Sequence, residues 1–267
     1  MSSIDERFEF ACATIKDAGA LALGYFRNFE SLEVKSKGVQ DMASEADVET
    51  EKLIERAVRG RYGEDAFLGE ENPESFVSKP GKGTWIIDPV DGTQPFVNGI
   101  ASWCVSIAFV EENRFVFGVV YDPNLDELFA AKVGGGATLN GRPIKASDAT
   151  SLLDGLVSVG FSNRVQPEDT LEPLSRLMHA QGMYHRSGSG ALSLAYVAAG
   201  RLIGYFEPHM NSWDFAASAL IITEAGGIIN ECLPDEQVLI NGSLVLAAAP
   251  GVYDELERVM LGADQAQ

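Results

Sequence analysis

The segment Thr84-Trp85-Ile86-Ile87-Asp88-Pro89-Val90-Asp91-Gly92-Thr93 runs an apolar stretch into two carboxylates, Asp88 and Asp91, at a turn marked by Pro89 and Gly92. A buried strand that ends in paired acids invites a hard cation, because such ions take oxygen ligands. Gly92 lets the main chain pass close to a ligand. If a helix starts after it, the N–H groups of Gly92 and Thr93 point outward at its positive end and make a seat for a phosphate. Taken alone, Asp-x-x-Asp and Asp-Gly-Thr are also ordinary turn chemistry, in which Asp and Thr bond their own backbone. Two more segments change that balance. Phe67-Leu68-Gly69-Glu70-Glu71-Asn72 repeats the layout upstream, and Asn211-Ser212-Trp213-Asp214 places an Asp at the head of a long apolar helix. Three acidic strand or helix ends could share one cleft.

Other chemistries are poorly served. Cys12, Cys104 and Cys232 sit in apolar contexts without paired spacing and read as buried free thiols of a reducing compartment. His179, His185 and His209 are too scattered for a zinc site, although His209 lies between Glu207 and Asp214. A Gly-x-Ser-x-Gly nucleophile elbow is absent. Arg186-Ser187-Gly188-Ser189-Gly190 instead leads into a helix, with Ser187 or Ser189 as its cap.

Taken together, these pieces closely resemble the inositol monophosphatase superfamily of metal-dependent phosphatases. The marks are Asp41 to Asp47, Gly69-Glu70-Glu71, Asp88-Pro89-Val90-Asp91-Gly92-Thr93 with Phe96, Glu207, and Trp213-Asp214 running into Glu224-Ala225-Gly226-Gly227. They occur in the family's order over roughly residues 35 to 230. The resemblance implies that Glu70, Asp88, Asp91 and Asp214, with the carbonyl of Val90, ligate two or three Mg²⁺ ions. It implies that Gly92 and Thr93 hold the substrate phosphate through their amides, and that Asp47 and Thr93, near Glu70, orient the attacking water. Asp91, Asp214 and Glu207 would contact the rest of the substrate, with Gly190 where an Ala commonly does so. A homodimer is the implied assembly. Oxygen-rich carboxylate sites suit Mg²⁺ on general grounds too, and cations clamping a phosphate can activate a water without a covalent enzyme intermediate.

The chain departs from the common pattern at three places. Gln94-Pro95 replaces a polar residue followed by Asn, Ser44 replaces Thr, and Arg186 to Ala191 reads one residue short. None is a metal ligand in the implied set, so the departures bear on the substrate. Glu207 resembles the hydroxyl acceptor of inositol-phosphate enzymes and favours inositol-1-phosphate or a similar polyol phosphate. Trp103, otherwise a core strand residue, resembles the aromatic of histidinol-phosphate phosphatases and gives an alternative. A bisphosphate nucleotidase is disfavoured, since no added basic pocket for a second phosphate is visible. A reading of another class is a regulatory binding protein of the same family, acting for instance on the transcription machinery.

Composition sets bounds. The 267 residues include 46% hydrophobic and 22% charged types, ordinary for a soluble globular protein, with a formal net charge of −19 that argues against a nucleic-acid partner. No basic n-region, apolar leader or 18-residue apolar run is present, so a cytoplasmic protein without membrane attachment is expected.

The elements that must position the acids follow from periodicity. Phe8, Ala11, Cys12, Ile15, Ala18, Ala22 and Tyr25 predict one helix over 4–27, and Leu53, Ile54, Ala57 and Val58 a second over 46–60. Ser102 to Tyr121, broken at 111–114, reads as a hairpin that continues as an antiparallel meander through Phe129–Ala131 and the Asn140-Gly141 turn. From about 150 strands and helices alternate: strand 155–160, helices 168–181 and 189–200, strand 202–206, helix 213–225, strand 244–248, helix 250–261. The expectation is one unit over 1–267, with an α plus antiparallel (α+β) part over about 1–150 and an α/β part over 151–267. The resemblance implies the layered α-β-α-β-α sandwich of the inositol monophosphatase and fructose-1,6-bisphosphatase type, with the site between the halves.

Overall fold

A computed structural model describes residues 3–32, 34–38, 41–232 and 234–262. In the Asp41-to-Asp47 segment, the side chains of Asp41, Met42 and Ala43 lie outside the described residues. The chain opens with α1 (Ile4–Phe26), whose N-cap Ser3 accepts from Glu6 in a capping box. A short ribbon of β1 (Val34–Gly38) and β2 (Asp41–Ser44) leads into α2 (Glu45–Tyr62). Then follow β3 (Ala66–Gly69), β4 (Thr84–Asp91), the five-residue α3 (Thr93–Val97), β5 (Cys104–Glu111), β6 (Arg114–Asp122), β7 (Glu127–Lys132), β8 (Ala137–Leu139) and β9 (Arg142–Pro143). The remainder comprises β10 (Leu156–Val159), α4 (Glu168–His179), β11 (Met183–His185), α5 (Gly190–Ala198), β12 (Gly204–Met210), α6 (Ser212–Glu224), β13 (Ile228–Ile229), α7 (Glu236–Asn241), β14 (Ser243–Ala248) and α8 (Tyr253–Leu261).

Strands β3 to β9 form one sheet in sequence order, with β3 parallel to β4 and every later pair antiparallel. A second sheet has the order β11-β10-β12-β14-β13, parallel between β11, β10 and β12 and antiparallel at β14. The period-2 alternation of strand side chains assigns each residue to a layer. On one face of the first sheet, Trp85, Ile87, Phe109 and Phe117 pack against Ile15 of α1 and Ile54 of α2. On the other face, Ile86, Ala108 and Val120 meet Leu194 of α5 and Phe215 of α6. The same central helices cover Tyr205, Val245 and Ala247 of the second sheet, whose opposite face packs Phe206 and Leu246 against Leu177 of α4 and Leu256 of α8. The result is α-β-α-β-α. Helix α6 is apolar around its whole circumference because it lies between two sheets.

The long elements fall where periodicity predicts them. Several boundaries shift by one or two residues, and the larger differences are that β12 runs on to Met210, so Glu207 sits inside a strand, and that α8 starts at Tyr253. The short β11, β13 and α7 were not anticipated. Trp103 lies just before β5, wholly buried against Phe26 and Phe96, as a core residue does. It therefore carries no sign of a substrate contact.

Candidate metal and phosphate site

Residues three apart on a regular strand face opposite sides, so Asp88 and Asp91 would diverge. The pairing of β4 with β5 shifts between them: Asp88 lies opposite Ser106, whereas Asp91 lies opposite Cys104, which leaves one extra residue on β4. Such a bulge re-aims side chains, and Pro89, lacking an N–H, fits where ladder bonds are broken. Asp214, from the first turn of α6, completes the group, and carboxylate oxygens of Asp88, Asp91 and Asp214 lie within 4.8 Å of one another. Its Oδ2 accepts from the Asn211 amide at 3.0 Å in a capping box, which fixes its rotamer.

Each of the other predicted residues is placed by a local device. Glu70 follows β3, its amide donating to the Ile87 carbonyl at 3.2 Å, and its carboxyl is in hydrogen-bonding contact with Asp88. Asp47 closes a capping box at the start of α2: Oδ2 accepts from the Ser44 amide at 2.8 Å and from the Ser44 hydroxyl at 2.5 Å. Ser44 thus keeps the hydroxyl that a Thr would offer. The other oxygen, Oδ1, accepts from the Thr93 hydroxyl at 3.0 Å, and Thr93 Oγ1 also lies 3.2 Å from the Val90 carbonyl. Gly92 caps α3 at φ +99°, a conformation L-residues rarely adopt, and a Cβ there would sit 2.8 Å from the Ser102 carbonyl. Pro95 stands in the first turn of α3, where no amide is needed.

One part of the site was missed from the sequence. The start of α5 grips Asp91: Oδ2 accepts from the Ser189 hydroxyl at 2.5 Å and the Ala191 amide at 2.7 Å, and Oδ1 from the Gly190 amide at 3.3 Å. Ser189 is also the N-cap of α5. A cap residue was legible there, but its reach to a strand nearly a hundred residues away was not. Cys104 Sγ lies 3.7 Å from the same Oδ2, while Cys12 and Cys232 are free thiols elsewhere.

The electrostatics of the group are lopsided. Burial, then the charges of Glu70, Asp91 and Asp214, pushes Asp88 well above the usual carboxylate range. Asp214 is raised by burial and by Asp91 and Glu207. Burial raises Asp91 too, against the donors on α5, and raises Asp47. Among the described residues no ion pair involves Asp88, Asp91 or Asp214. Two buried carboxylates and one half-buried one converging without a counter-charge fit a hard divalent cation.

Beyond the acids, a cavity of 120 Å³ is lined by Asp91, Ser158, Ser187, Ser193, Glu207 and Asp214, among others. The Tyr205 hydroxyl donates to Glu207 Oε2, and burial lifts the Glu207 carboxyl to about 7. Gly190 borders this cavity. His209 donates Nε2–H to the Asn241 carbonyl at 2.8 Å, and His179 bonds the Ser175 carbonyl on α4, so both imidazoles serve local structure.

Five layers with a carboxylate cluster where the two sheets meet define the class of layered α-β-α-β-α proteins. The Inositol monophosphatase family model matches residues 3–261, and the chain belongs to that family. It is 37% identical over 225 residues to an inositol-1-monophosphatase of Mesorhizobium japonicum, covering 82% of this chain and 83% of the relative. It is 34% identical over 242 residues to a Nus factor SuhB of Pseudomonas aeruginosa, covering 88% and 89%. A solved extragenic suppressor protein suhB from Bartonella henselae superposes with a TM-score of 0.87 at 32% identity, over 95% of this chain and 98% of that one.

Proposed function

We propose that this protein is a Mg²⁺-dependent phosphatase that hydrolyses a small phosphate monoester, inositol-1-phosphate or a similar polyol phosphate. The observation that carries the reading is the convergence of Asp88, Asp91 and Asp214 within 4.8 Å beside the bonded pair Asp47 and Thr93. Glu70, Asp88, Asp91, Asp214 and the Val90 carbonyl would hold the ions. Bound Mg²⁺ would supply neutralisation of the phosphate charge and a lowered water pKa. The amides of Gly92 and Thr93 begin a helix, where N–H groups have no intrahelical partner, and they would hold phosphate oxygens. Asp47 takes the Thr93 hydroxyl proton in a hydrogen bond, which leaves the lone pairs of Oγ1 to accept from a water and orient it with Glu70. Glu207 and the hydroxyls of Ser158, Ser187 and Ser193 give the alcohol end of the substrate a polar pocket suited to a polyol. Trp103, which suggested histidinol phosphate, packs in the core and gives that alternative no support.

A second reading, a regulatory binding protein, rests on the likeness to a relative named Nus factor SuhB. One experiment separates the two. Phosphate release from inositol-1-phosphate is expected to require Mg²⁺, and Asp91→Asn is expected to reduce Mg²⁺ affinity and turnover at least about 100-fold, because a charged ligand is lost. Mg²⁺-independent release, or wild-type turnover of the variant at subsaturating Mg²⁺, overturns the assignment. No release from any phosphomonoester favours the binder.

A further inference from the structure

Helix α2 carries a second buried acid that the proposed chemistry does not use. Glu51 stands one turn after Asp47, so the two carboxylates leave the same face of the helix, about 6 Å apart along its axis. Only 6% of Glu51 is exposed, and a carboxylate placed so deeply needs donors for its oxygens. One comes from the turn that follows β3: the Glu71 amide donates to Glu51 Oε2 at 2.9 Å. Gly69, two residues earlier, is matched to the same carboxylate. A Cβ at Gly69 would lie 2.3 Å from Glu51 Oε2 and 2.5 Å from its Cδ. Gly69 is not among the glycines with positive φ, so what it provides is room, and Glu51 takes that room.

Glu70 sits between these two contacts. Its amide donates to the Ile87 carbonyl at 3.2 Å and its carboxyl meets Asp88, so the turn is held from β4 on one side and from α2 on the other. Asp47, in the first turn of the same helix, accepts from the Thr93 hydroxyl at 3.0 Å. One helix thus fixes both halves of the group proposed to orient the water: Thr93 through Asp47, and Glu70 through Glu51. We propose that Glu51 is a positioning residue, which sets the 69–71 turn and with it the place of Glu70 relative to Thr93 and the acid cluster. The role needs the acceptor oxygen and the shape of the side chain rather than its charge, because the amide it holds is neutral. The inference rests on the phosphatase reading in the job it gives to Glu70, and adds to that reading the residue that holds Glu70 in place.

The test is a double-mutant cycle read by calorimetric Mg²⁺ titration and by phosphate release from inositol-1-phosphate. Glu51→Ala should weaken Mg²⁺ binding and lower kcat at least about tenfold each, as loss of a partner behind a metal ligand does. KM should change less than about threefold, because the phosphate seat at Gly92 and Thr93 lies on another element. Glu70→Gln should cost at least as much, and adding Glu51→Ala to it should cost less than about a further twofold, since the two residues act as one unit. Glu51→Gln keeps an oxygen for the Glu71 amide and should stay within about threefold of the parent. Gly69→Ala, which drives the carboxylate off the turn, should match Glu51→Ala and takes its place in the cycle if that variant does not fold. Additive losses in the double variant, parent-like behaviour of Glu51→Ala, or equal losses in Glu51→Gln and Glu51→Ala overturn the proposal. If Mg²⁺ binds and no phosphate is released, the phosphatase reading falls by itself and the titration decides on Glu51. Absence of Mg²⁺ binding by the parent overturns both.

Discussion

Glu207 is held in a place that favours its neutral form. Its ordinary pKa is 4.5 and burial lifts it to about 7. Below 4.5 the carboxyl is protonated in the folded and the unfolded chain alike, so stability is unaffected; above about 7 it is ionised in both, and the cost of burying the charge is complete. Stability is therefore lost as pH rises between these values. Glu207→Gln keeps an acceptor for Tyr205 and removes the charge. In EDTA at pH 8 the variant is expected to be more stable by up to about 3 kcal/mol, from about 1.4 kcal/mol per pKa unit, with the difference gone at pH 4. Equal melting temperatures of variant and parent at pH 8 would refute this. At this scale the sequence was informative about residue types that work where they stand: Asp88, Asp91 and Gly92 announce themselves within five positions. It was silent where function comes from a partner far along the chain. Tyr205 on Glu207 and the Ser189 and Ala191 donors on Asp91 are tertiary facts.

The elements that carry these residues are held at short range. Gly118 on β6 faces α6 so closely that a Cβ would meet the Ala217 carbonyl oxygen at 2.2 Å and its Cα at 2.7 Å. Backbone cannot yield as a side-chain end can, so Gly118→Ala must push α6, and Asp214 with it, away from the first sheet. A loss of about 1–3 kcal/mol in denaturant unfolding is expected, of the size found for overpacked cores. A loss below about 0.5 kcal/mol would show that α6 is free to shift. Long elements were legible because their periodicity is long: 4–27 was expected and Ile4–Phe26 is found. The two-residue β13 and three-residue β11 are too short for any period to register. The end of β12 was cut at 206 because Glu207-Pro208-His209 breaks the apolar run, and Glu207 and His209 line the cleft. The β4 bulge was invisible for another reason: extra residues show only against a partner strand.

Across the whole molecule, one apolar cluster spans both sheets, from Leu68 and Ile86 through Ala191 and Phe215 to Val245 and Ala247. The parts on either side of residue 150 share this core, so one calorimetric transition is expected, moved upward by Mg²⁺ through mass action. Two resolved transitions would split the chain into separate units. The net charge of −19, with the acid cluster, gives cations a long-range attraction to the molecule. The order of the first sheet follows the order of the chain, whereas its acid cluster does not close until α6 arrives. On a ribosome adding about 5–20 residues per second, Asp214 emerges roughly 6 to 25 seconds after Asp91. Throughout that interval the nascent sheet displays Asp88 and Asp91 without their third partner and without the α5 donors. The three-carboxylate set is thus assembled only once α6 has emerged, so a divalent ion would meet its full set of ligands late in synthesis rather than at the first sheet.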